Sequence, residues 1–514
     1  MSHRKLTTAQ TGAILAAMTL ISKVLGLVRE LVLAQSYGAG SVTDAYSMAL
    51  SIPNDIFAAV MLSASIAFLP VYSQRVSAQG KGSGDRLTSG LINRLWIASA
   101  AVAAAGCAFA KPLVRILAPG FGGSTLDLTV FYLRIAFVLV IFSVSKNIQM
   151  SYLEYRGVFL SQRLFGYAEN FCIIAFTLLS FSLGMPKLLI AGIVAGGAVI
   201  AAGYFYVSVK NGYRHSFQLE KDGGEREILK LALPVFAGSC ATHINVLVDR
   251  LLASKLAEGS VSALHYGAGL TDAMNALTIG IVATIIYPML SKAFAEGNMQ
   301  RASSLSSRAV SLCVVLMLPC SLGAAVYAKP VIRAVFERGR FGGDATEMVA
   351  AAFLFYVAGL LFGALNTVIL RVYYSLRDTL TTVKVSLICV VLNIVLDLIL
   401  VGPMGLGGLA LSTSVSGAAG LLMRLILLEK KHPEIRIEVP LKKIAQIAAF
   451  SVIAVGISFA GFVLMGNFLQ ISHYLKLFVA LVIAIVVYYV ELLYSGAEEL
   501  KLLKELFSRN EKGI

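Results

Sequence analysis

Several ionisable side chains stand inside long apolar stretches of this sequence, where a charge is expensive. Lys23, Arg29 and Glu30 lie in the first such stretch, and Asp44 and Asp55 lie in the second. A charged side chain at the centre of a bilayer costs about 2.5 kcal/mol or more, so an intramembrane charge that faces protein marks a candidate functional site. These five residues are therefore our candidate substrate-binding residues.

The placement of the first three leaves an alternative open. The six-residue step from Lys23 to Arg29 is a net rotation of about 240° on a helix, so the two side chains do not share a narrow stripe. They can still border one wide cavity. Alternatively, Lys23 extends along its aliphatic stem to the membrane surface, and Arg29 and Glu30 lie near the outer end of the helix.

A helix break separates the two acidic residues of the second stretch. Asp44 and Asp55 bracket the segment Ile52-Pro53-Asn54. Proline removes a backbone hydrogen bond, and the carbonyl groups that it frees commonly line a cavity. The sequence therefore predicts a locally opened helix at this point.

Further polar residues stand in later stretches. Asn393 and Asp397, four positions apart, share a helix face, and their oxygen atoms suit a hard cation. An interhelical hydrogen bond of about 0.6 kcal/mol is an equally good interpretation of this pair from its spacing alone. Asp249 and Arg250 point about 100° apart, which disfavours mutual pairing, so one of them needs another partner.

No catalytic pattern is present in the sequence. The histidines are scattered, and neither His-Glu-x-x-His, Gly-x-Ser-x-Gly nor a P-loop occurs. The formal net charge of +15 comes from basic residues in short loops rather than from one patch, which argues against nucleic-acid binding. We therefore expect neither an enzyme nor a chain that hydrolyses ATP by itself.

The elements that position these residues are membrane-spanning helices. Apolar residues make up 58% of the 514 positions and charged residues 14%, with a mean hydropathy of +0.80, whereas soluble domains carry about 25% charged residues. Apolar runs long enough to cross a bilayer recur throughout. We predict an all-α membrane protein with about fourteen transmembrane helices, over residues 9–36, 42–73, 90–117, 127–152, 160–184, 188–209, 229–256, 261–292, 306–328, 347–375, 381–401, 407–428, 443–466 and 473–494.

The loops between these spans alternate in charge. One set, together with the termini, is rich in Lys and Arg, whereas the other is poor in them apart from one loop with Lys329, Arg333, Arg338 and Arg340. The positive-inside rule places the basic set in the cytoplasm. Both termini are therefore expected on the cytoplasmic side.

The chain also repeats itself at a spacing of about 218 residues. Lys111-Pro112-Leu113-Val114-Arg115 returns as Lys329-Pro330-Val331-Ile332-Arg333. A parallel repeat of this kind predicts two six-helix lobes, over residues 7–211 and 227–430, followed by a helix pair over 440–495 and a cytoplasmic tail over 496–514. The alternative is chance similarity among apolar segments. Transporters with a site between two halves are often built in this way.

Particular motifs resemble those of the lipid II flippases called MurJ or MviN, and the likeness covers nearly the whole chain. The motifs are Ser22-Lys23-Val24-Leu25-Gly26-Leu27-Val28-Arg29-Glu30, Gly38-Ala39-Gly40, Thr43-Asp44-Ala45, Pro53-Asn54, Ala118-Pro119-Gly120-Phe121, Val248-Asp249-Arg250-Leu251-Leu252-Ala253-Ser254 and Gly408-Leu409-Ala410-Leu411-Ser412. The resemblance implies a MATE-like fold with a central cavity, and a final helix pair that forms a groove for a lipid tail.

The resemblance also implies a substrate and a place. The substrate would be undecaprenyl-pyrophosphate carrying the peptidoglycan disaccharide-pentapeptide, flipped to the outer leaflet of the bacterial cytoplasmic (inner) membrane. Membrane lipids, and other cell-wall synthesis proteins, would be its partners. Arg29 matches the family's cation facing the pyrophosphate, with Glu30 in place of the usual Asp, and Lys23 stands where Arg is common. No covalent cofactor is implied.

One branch of the family carries a sodium site, and its ligands match positions of this chain. They correspond to Asp249, Asn393, Asp397 and Thr413, so the resemblance favours Na⁺ binding at the pair that spacing alone left ambiguous. Phe57 and Gly269, however, stand where the family has arginines. These two departures keep other functions open: a flippase for a different polyprenyl-linked oligosaccharide, or a scaffold for cell-wall enzymes.

Overall fold

The computed structural model describes residues 8–217, 224–438, 441–468 and 472–495, and within these ranges the chain is helical and contains no β-strand. The helices are α1 (Thr8–Tyr37), α2 (Ser41–Leu50), α3 (Phe57–Gln79), α4 (Lys81–Ala108), α5 (Ala110–Leu117), α6 (Gly123–Ala136), α7 (Val138–Tyr155), α8 (Leu160–Ser182), α9 (Leu189–Lys210), α10 (Gly224–Ala253), α11 (Ser260–Ala295), α12 (Met299–Val326), α13 (Ala328–Phe336), α14 (Gly343–Ala358), α15 (Leu360–Ser375), α16 (Thr379–Met404), α17 (Leu406–Lys431), α18 (Leu441–Phe468) and α19 (His473–Tyr494).

The membrane character of these helices follows from their length and composition. Each predicted span falls on one helix or on consecutive helices. Within the described ranges, ten helical segments are long and apolar enough to cross a bilayer, or eleven when α14 and α15, bent by 43°, count as one span. The all-helical membrane fold is confirmed, whereas the number fourteen is not. The predicted tail, residues 496–514, lies outside the described residues.

The 218-residue repeat is visible as repeated local structure. The helices α4 and α5 are separated only by Phe109, and α12 and α13 are separated in the same way by Tyr327. Both residues adopt nearly the same backbone angles, with φ and ψ of −94° and 13° at Phe109 and −99° and 18° at Tyr327. Pro112 and Pro330 follow in the first turn of each short helix, where the missing N–H costs little. The shared breaks favour a true repeat over chance similarity.

The chain divides into two compact units. The first comprises Met1–Ser262 with Arg338–Phe341, and the second comprises Ala263–Glu337 with Gly342–Ile514. The sequence placed the boundary between its two lobes at residues 211–227 instead, and those lobe limits stay a prediction.

Aromatic side chains fill the interior of the first unit. Phe68, Tyr72 and Tyr152 are buried together among α3 and α7, and the rings of Tyr72 and Tyr152 meet edge to face with centroids 5.6 Å apart. In the second unit, a comparable cluster joins α11, α12, α15 and α17 around Tyr373, whose hydroxyl donates to the backbone oxygen of Arg424 at 2.7 Å. Close packing of this kind holds membrane helices together, because lipid tails are as apolar as the side chains.

Candidate functional site

The predicted arginine of α1 lies in a polar cluster of the first unit. Arg29 donates to Oε1 of Glu30 through Nε at 3.2 Å and Nη2 at 2.7 Å, and its Nη1 donates to Oδ1 of Asn170 at 3.4 Å. Its side chain is 32% exposed. Arg29 and Glu30 are therefore brought together as an ion pair, and Nε, Nη1 and Nη2 of the guanidinium all donate within the first unit.

The other cation predicted on α1 has a different setting. The side chain of Lys23 is exposed, as the open alternative of a lysine at the helix surface also requires. The side chain of Asp55 lies outside the described residues, although its backbone belongs to the wide turn described below. Their roles in binding substrate stay predictions.

The opened helix predicted around Pro53 is present as a π-helix over Ser51–Ile56, and that prediction is confirmed. At its end, the N–H group of Phe57 donates to the carbonyl of Ile52, five residues back. Arg250 of α10 donates through Nη1 to the hydroxyl of Ser51 and, at 3.3 Å, to the carbonyl of Ser47. The partner that the sequence demanded for the Asp249–Arg250 pair is thus this widened turn, which spacing alone could not reveal.

Asp44 lies at the start of α2 and is almost completely buried, with 2% exposure. Its Oδ2 accepts from the N–H of Gly259 at 2.7 Å, and its Oδ1 accepts from the N–H and the hydroxyl of Ser262, both at 2.7 Å. These bonds satisfy N–H groups at the start of α11, which a helix leaves without intrahelical partners. The structure therefore gives Asp44 a capping role, and its predicted contact with substrate remains a prediction.

The four residues predicted to hold a cation are divided between the two units. Asp249 is buried in the first unit, whereas Asn393, Asp397 and Thr413 belong to the second. There, Nδ2 of Asn393 donates to Oγ1 of Thr413 at 3.4 Å, and the hydroxyl of Ser412 donates to Oδ1 of the fully buried Asp397.

Such a donor set fits a hard cation, because carboxylate, amide and hydroxyl oxygens are the ligands that these ions take. The same contacts are also the interhelical hydrogen bonds of the alternative interpretation. Among the described residues, no three His, Cys, Asp or Glu side chains cluster as a metal site. Ser412 was missed by the sequence analysis, because only the pairing of α16 with α17 brings it to Asp397.

A large apolar groove of about 1020 Å³ lies in the second unit. Its walls come from α11, α12, α18 and α19, and they include Leu270, Val315, Pro319, Val455 and Ile485. Tyr488 crosses from α19 to α12, where its hydroxyl donates to the carbonyl of Val315 at 2.7 Å. The final helix pair therefore borders a groove of the apolar character that a hydrocarbon chain requires.

A smaller cavity of about 450 Å³ lies in the first unit and was not predicted. Its polar lining comes from Asn54, Lys146, Asn147, Glu169 and His243. Sequence analysis passed over Lys146 and Glu169 because each is a single charge in a separate span, and only the packing of both α7 and α8 against α9 brings them to one cavity.

Arg424 is a second buried cation that sequence analysis overlooked. It donates to Oδ1 of Asn366 at 2.8 Å through Nη1 and to the hydroxyl of Ser386 at 2.9 Å through Nη2, and so joins α15, α16 and α17 within the second unit. Its position near the end of a span gave no signal to separate it from the many loop arginines.

Comparison with solved structures first identifies the class of fold. The chain superposes on a MATE family transporter of the MOP superfamily with a TM-score of 0.69 and 14% identity, over 82% of this chain and 99% of that one. It superposes on a lipid II flippase MurJ in an inward closed conformation with a TM-score of 0.82 and 23% identity, over 96% and 100%. The described residues therefore have the polytopic helical fold of these two solved structures.

The sequence comparisons then give the family. The model of the lipid II flippase MurJ family matches residues 33–483, so this chain belongs to that family. A relative from Vibrio cholerae, named "Probable lipid II flippase MurJ", is 30% identical over 79% of this chain and 80% of its own length. The lipid II flippase MurJ of Burkholderia cenocepacia is 27% identical over 81% and 83%.

Proposed function

We propose that this chain flips lipid II, the undecaprenyl-pyrophosphate carrier of the peptidoglycan disaccharide-pentapeptide, from the cytoplasmic to the outer leaflet by alternating access. The observation that carries the proposal is the family match over residues 33–483, which covers Asp44, Asp55 and the residues proposed to hold Na⁺, while Lys23, Arg29 and Glu30 lie just before it. A flippase moves its substrate without making or breaking a covalent bond, which agrees with the lack of a catalytic motif in the sequence.

The two ends of such a substrate need different surroundings. Arg29 offers a forked set of donors that matches the oxygens of a phosphate, and charge-assisted bonds of this kind are stronger than neutral ones. In the observed state those donors hold Glu30 and Asn170, so a pyrophosphate must compete with Glu30 for them. The groove beside α18 and α19 would take the polyprenyl tail, whose burial there costs no polar contact.

We further propose that Na⁺ biases the transport cycle. Asp249, Asn393, Asp397 and Thr413 would supply the oxygen ligands, because they match the sodium site of one branch of the family and their side chains carry oxygens that suit a hard cation. A bound cation adds positive charge beside the buried carboxylates. It shifts a conformational equilibrium only as far as its affinities for the two states differ.

The setting that we propose is the bacterial inner membrane, with both termini in the cytoplasm and with cell-wall synthesis proteins as further partners. The alternation of basic and uncharged loops supports this orientation.

Complementation tests the function. A strain depleted of its own lipid II flippase should grow when it expresses this chain. Failure to grow, although the chain is inserted in the membrane, would contradict the proposal and favour a flippase for another polyprenyl-linked oligosaccharide. That second candidate is motivated by Phe57 and Gly269, which replace two of the family's arginines.

A further inference from the structure

The cavity of about 450 Å³ in the first unit contains an ion pair that the proposed cycle does not use. Lys146 of α7 and Glu169 of α8 both line it, together with Asn54, Asn147 and His243. Its volume lies in the range of about 300–1000 Å³ that is typical of small-molecule sites. The cavity is therefore large enough for a small part of a substrate, such as one amino acid residue.

The ion pair is open rather than closed. Nζ of Lys146 lies 4.0 Å from Oε2 of Glu169, and the two side chains are 44% and 26% exposed. Direct bonds between an ammonium and a carboxylate are typically about 2.7–2.9 Å long, which is the distance found between Arg29 and Glu30. Each group at the cavity therefore retains hydrogen-bonding capacity for a ligand.

Helix packing fixes the position of the carboxylate. A Cβ atom at Gly196 of α9 would lie 3.1 Å from Cγ and 3.2 Å from Cα of Glu169. Glycine at this position lets α8 and α9 approach closely, and the backbone of α9 therefore forms a wall directly behind Glu169. Asn147, which also lines the cavity, is anchored because its Nδ2 donates to the carbonyl of Ser143 at 2.8 Å.

The charges of this pair select the chemistry of the ligand. A phosphate group would meet the repulsion of Glu169, and a lone ammonium would meet that of Lys146. A group with an ammonium and a carboxylate on one carbon places an opposite charge next to each of the two side chains. A ligand with only one of the two charges is disfavoured, because that charge lies next to a side chain of the same sign.

We propose that this cavity binds a zwitterionic side-chain end of the substrate's peptide, with its ammonium group on Glu169 and its carboxylate on Lys146. This inference rests on the proposed function, because it assumes that the headgroup carries a peptide. It makes Lys146 and Glu169 specificity residues for the peptide, beside the proposed pyrophosphate contact of Arg29, which donates to Asn170, the residue that follows Glu169.

Two forms of lipid II provide the test. In one, the third residue of the peptide is meso-diaminopimelate, whose side chain ends in an ammonium and a carboxylate on one carbon. In the other it is lysine, whose side chain ends in the ammonium alone. Binding of each form to the purified full-length protein in lipid nanodiscs should favour the diaminopimelate form about tenfold, which corresponds to about 1.4 kcal/mol.

The variants should act differently on the two lipids. Lys146→Met should weaken the diaminopimelate form about tenfold without weakening the lysine form, and Lys146→Arg should retain the preference. Glu169→Gln should weaken both forms, since both carry the ammonium. Lys111→Met removes an exposed lysine far from this cavity in sequence and serves as the control, with wild-type affinities for both.

Each other outcome has a distinct meaning. Equal wild-type affinities for the two lipids would overturn the inference, as would a Lys146→Met variant that weakens both forms equally. If Lys146→Met does not fold, Lys146→Gln is measured in its place with the same expectation. A wild-type protein that binds neither form would contradict the proposed function itself.

Discussion

The carboxylate of Asp44 accepts hydrogen bonds from the N–H group and the hydroxyl of Ser262. Ser262 lies 218 positions after Asp44, which is the spacing of the sequence repeat. The reverse contact is present too, since the N–H of Ser41 donates to Oε1 of Glu258 at 2.8 Å. The starts of α2 and α11 are equivalent in the repeat: Asp44 of α2 accepts from the start of α11, and Glu258, two residues before α11, accepts from the first residue of α2. Negative charge is favourable at a helix N-terminus, so the arrangement stabilises both helices.

Replacing Asp44 tests this capping contact. Asp44→Asn retains the shape but leaves a single acceptor oxygen without charge, and hydrogen bonds to charged groups contribute about 1.5–3 kcal/mol each. We expect the free energy of unfolding to fall by about 2 kcal/mol, measured by thermal or denaturant unfolding in detergent. Ser262→Ala removes only the hydroxyl bond and should cost about 1 kcal/mol. A wild-type stability for Asp44→Asn would show that the cap is dispensable.

Orientation in the membrane can be tested by labelling single cysteines. In a cysteine-free background, an impermeant maleimide added to intact cells should label Ser124→Cys, at the start of α6, and should not label Ser77→Cys, near the end of α3. Both side chains are exposed, so accessibility to the reagent depends on the side of the membrane. The reverse pattern would place the basic loops outside the cell and contradict the predicted topology.

The sequence predicted more of the fold than of the candidate site. Hydropathy located the helices, and Pro53 indicated the opened turn, because both signals are local in the chain. The capping of α11 by Asp44 and the shared cavity of Lys146 and Glu169 depend on which helices are neighbours, and apolar runs carry no such information. For the same reason, the spacing of Asp249 and Arg250 disfavoured their mutual pairing but could not identify the contacts of Arg250 with Ser47 and Ser51.

The sodium site makes a prediction that separates it from a hydrogen bond between helices. Asp397→Asn removes the buried charge and should abolish a Na⁺-specific change in conformation, followed by fluorescence against K⁺ at equal ionic strength. Ser412→Ala removes the hydrogen bond to Asp397 but no predicted ligand, so this variant should still respond to Na⁺. If both variants and the wild type respond equally to Na⁺ and K⁺, these residues serve helix packing alone.

Asp378 gives the stability of the second unit a dependence on pH. Burial disfavours its charged form, but hydrogen bonds from the hydroxyl and N–H of Thr381, together with His432 and Lys431, outweigh that effect and lower the pKa of Asp378 below its usual value. A lowered pKa stabilises the folded state above the unfolded pKa of about 3.9, and this contribution is lost as the pH falls through the folded pKa.

The measurement compares wild type with Asp378→Asn. The difference between their free energies of unfolding should be largest at pH 6 and should shrink as the pH is lowered towards 3. A difference that stays constant over this range would mean that the carboxylate's charge contributes nothing.

Arg29 is the residue on which the proposed transport depends most directly. Phe57 and Gly269 stand where the family has arginines, so these two cations cannot bind the pyrophosphate. Arg29 should therefore contribute a larger part of the binding free energy of the pyrophosphate. Arg29→Ala should therefore abolish growth in a strain that relies on this chain alone, while membrane insertion is retained. Arg29→Lys should restore growth in part, because it keeps the charge but loses the fork of donors. Arg115→Ala, an exposed arginine of α5, provides the matched control and should grow normally.

Restoring a lost arginine extends the same test. A Cβ atom at Gly269 would meet no other atom within 4 Å, so Gly269→Arg can be accommodated next to the backbone. If the site retains the layout of the family, this variant should bind lipid II more tightly than the wild type and should partly rescue Arg29→Lys. The added cation matters through its charge, so the gain should decrease as salt is raised. Normal growth of Arg29→Ala would remove this guanidinium from the mechanism, and with it the assigned pyrophosphate contact.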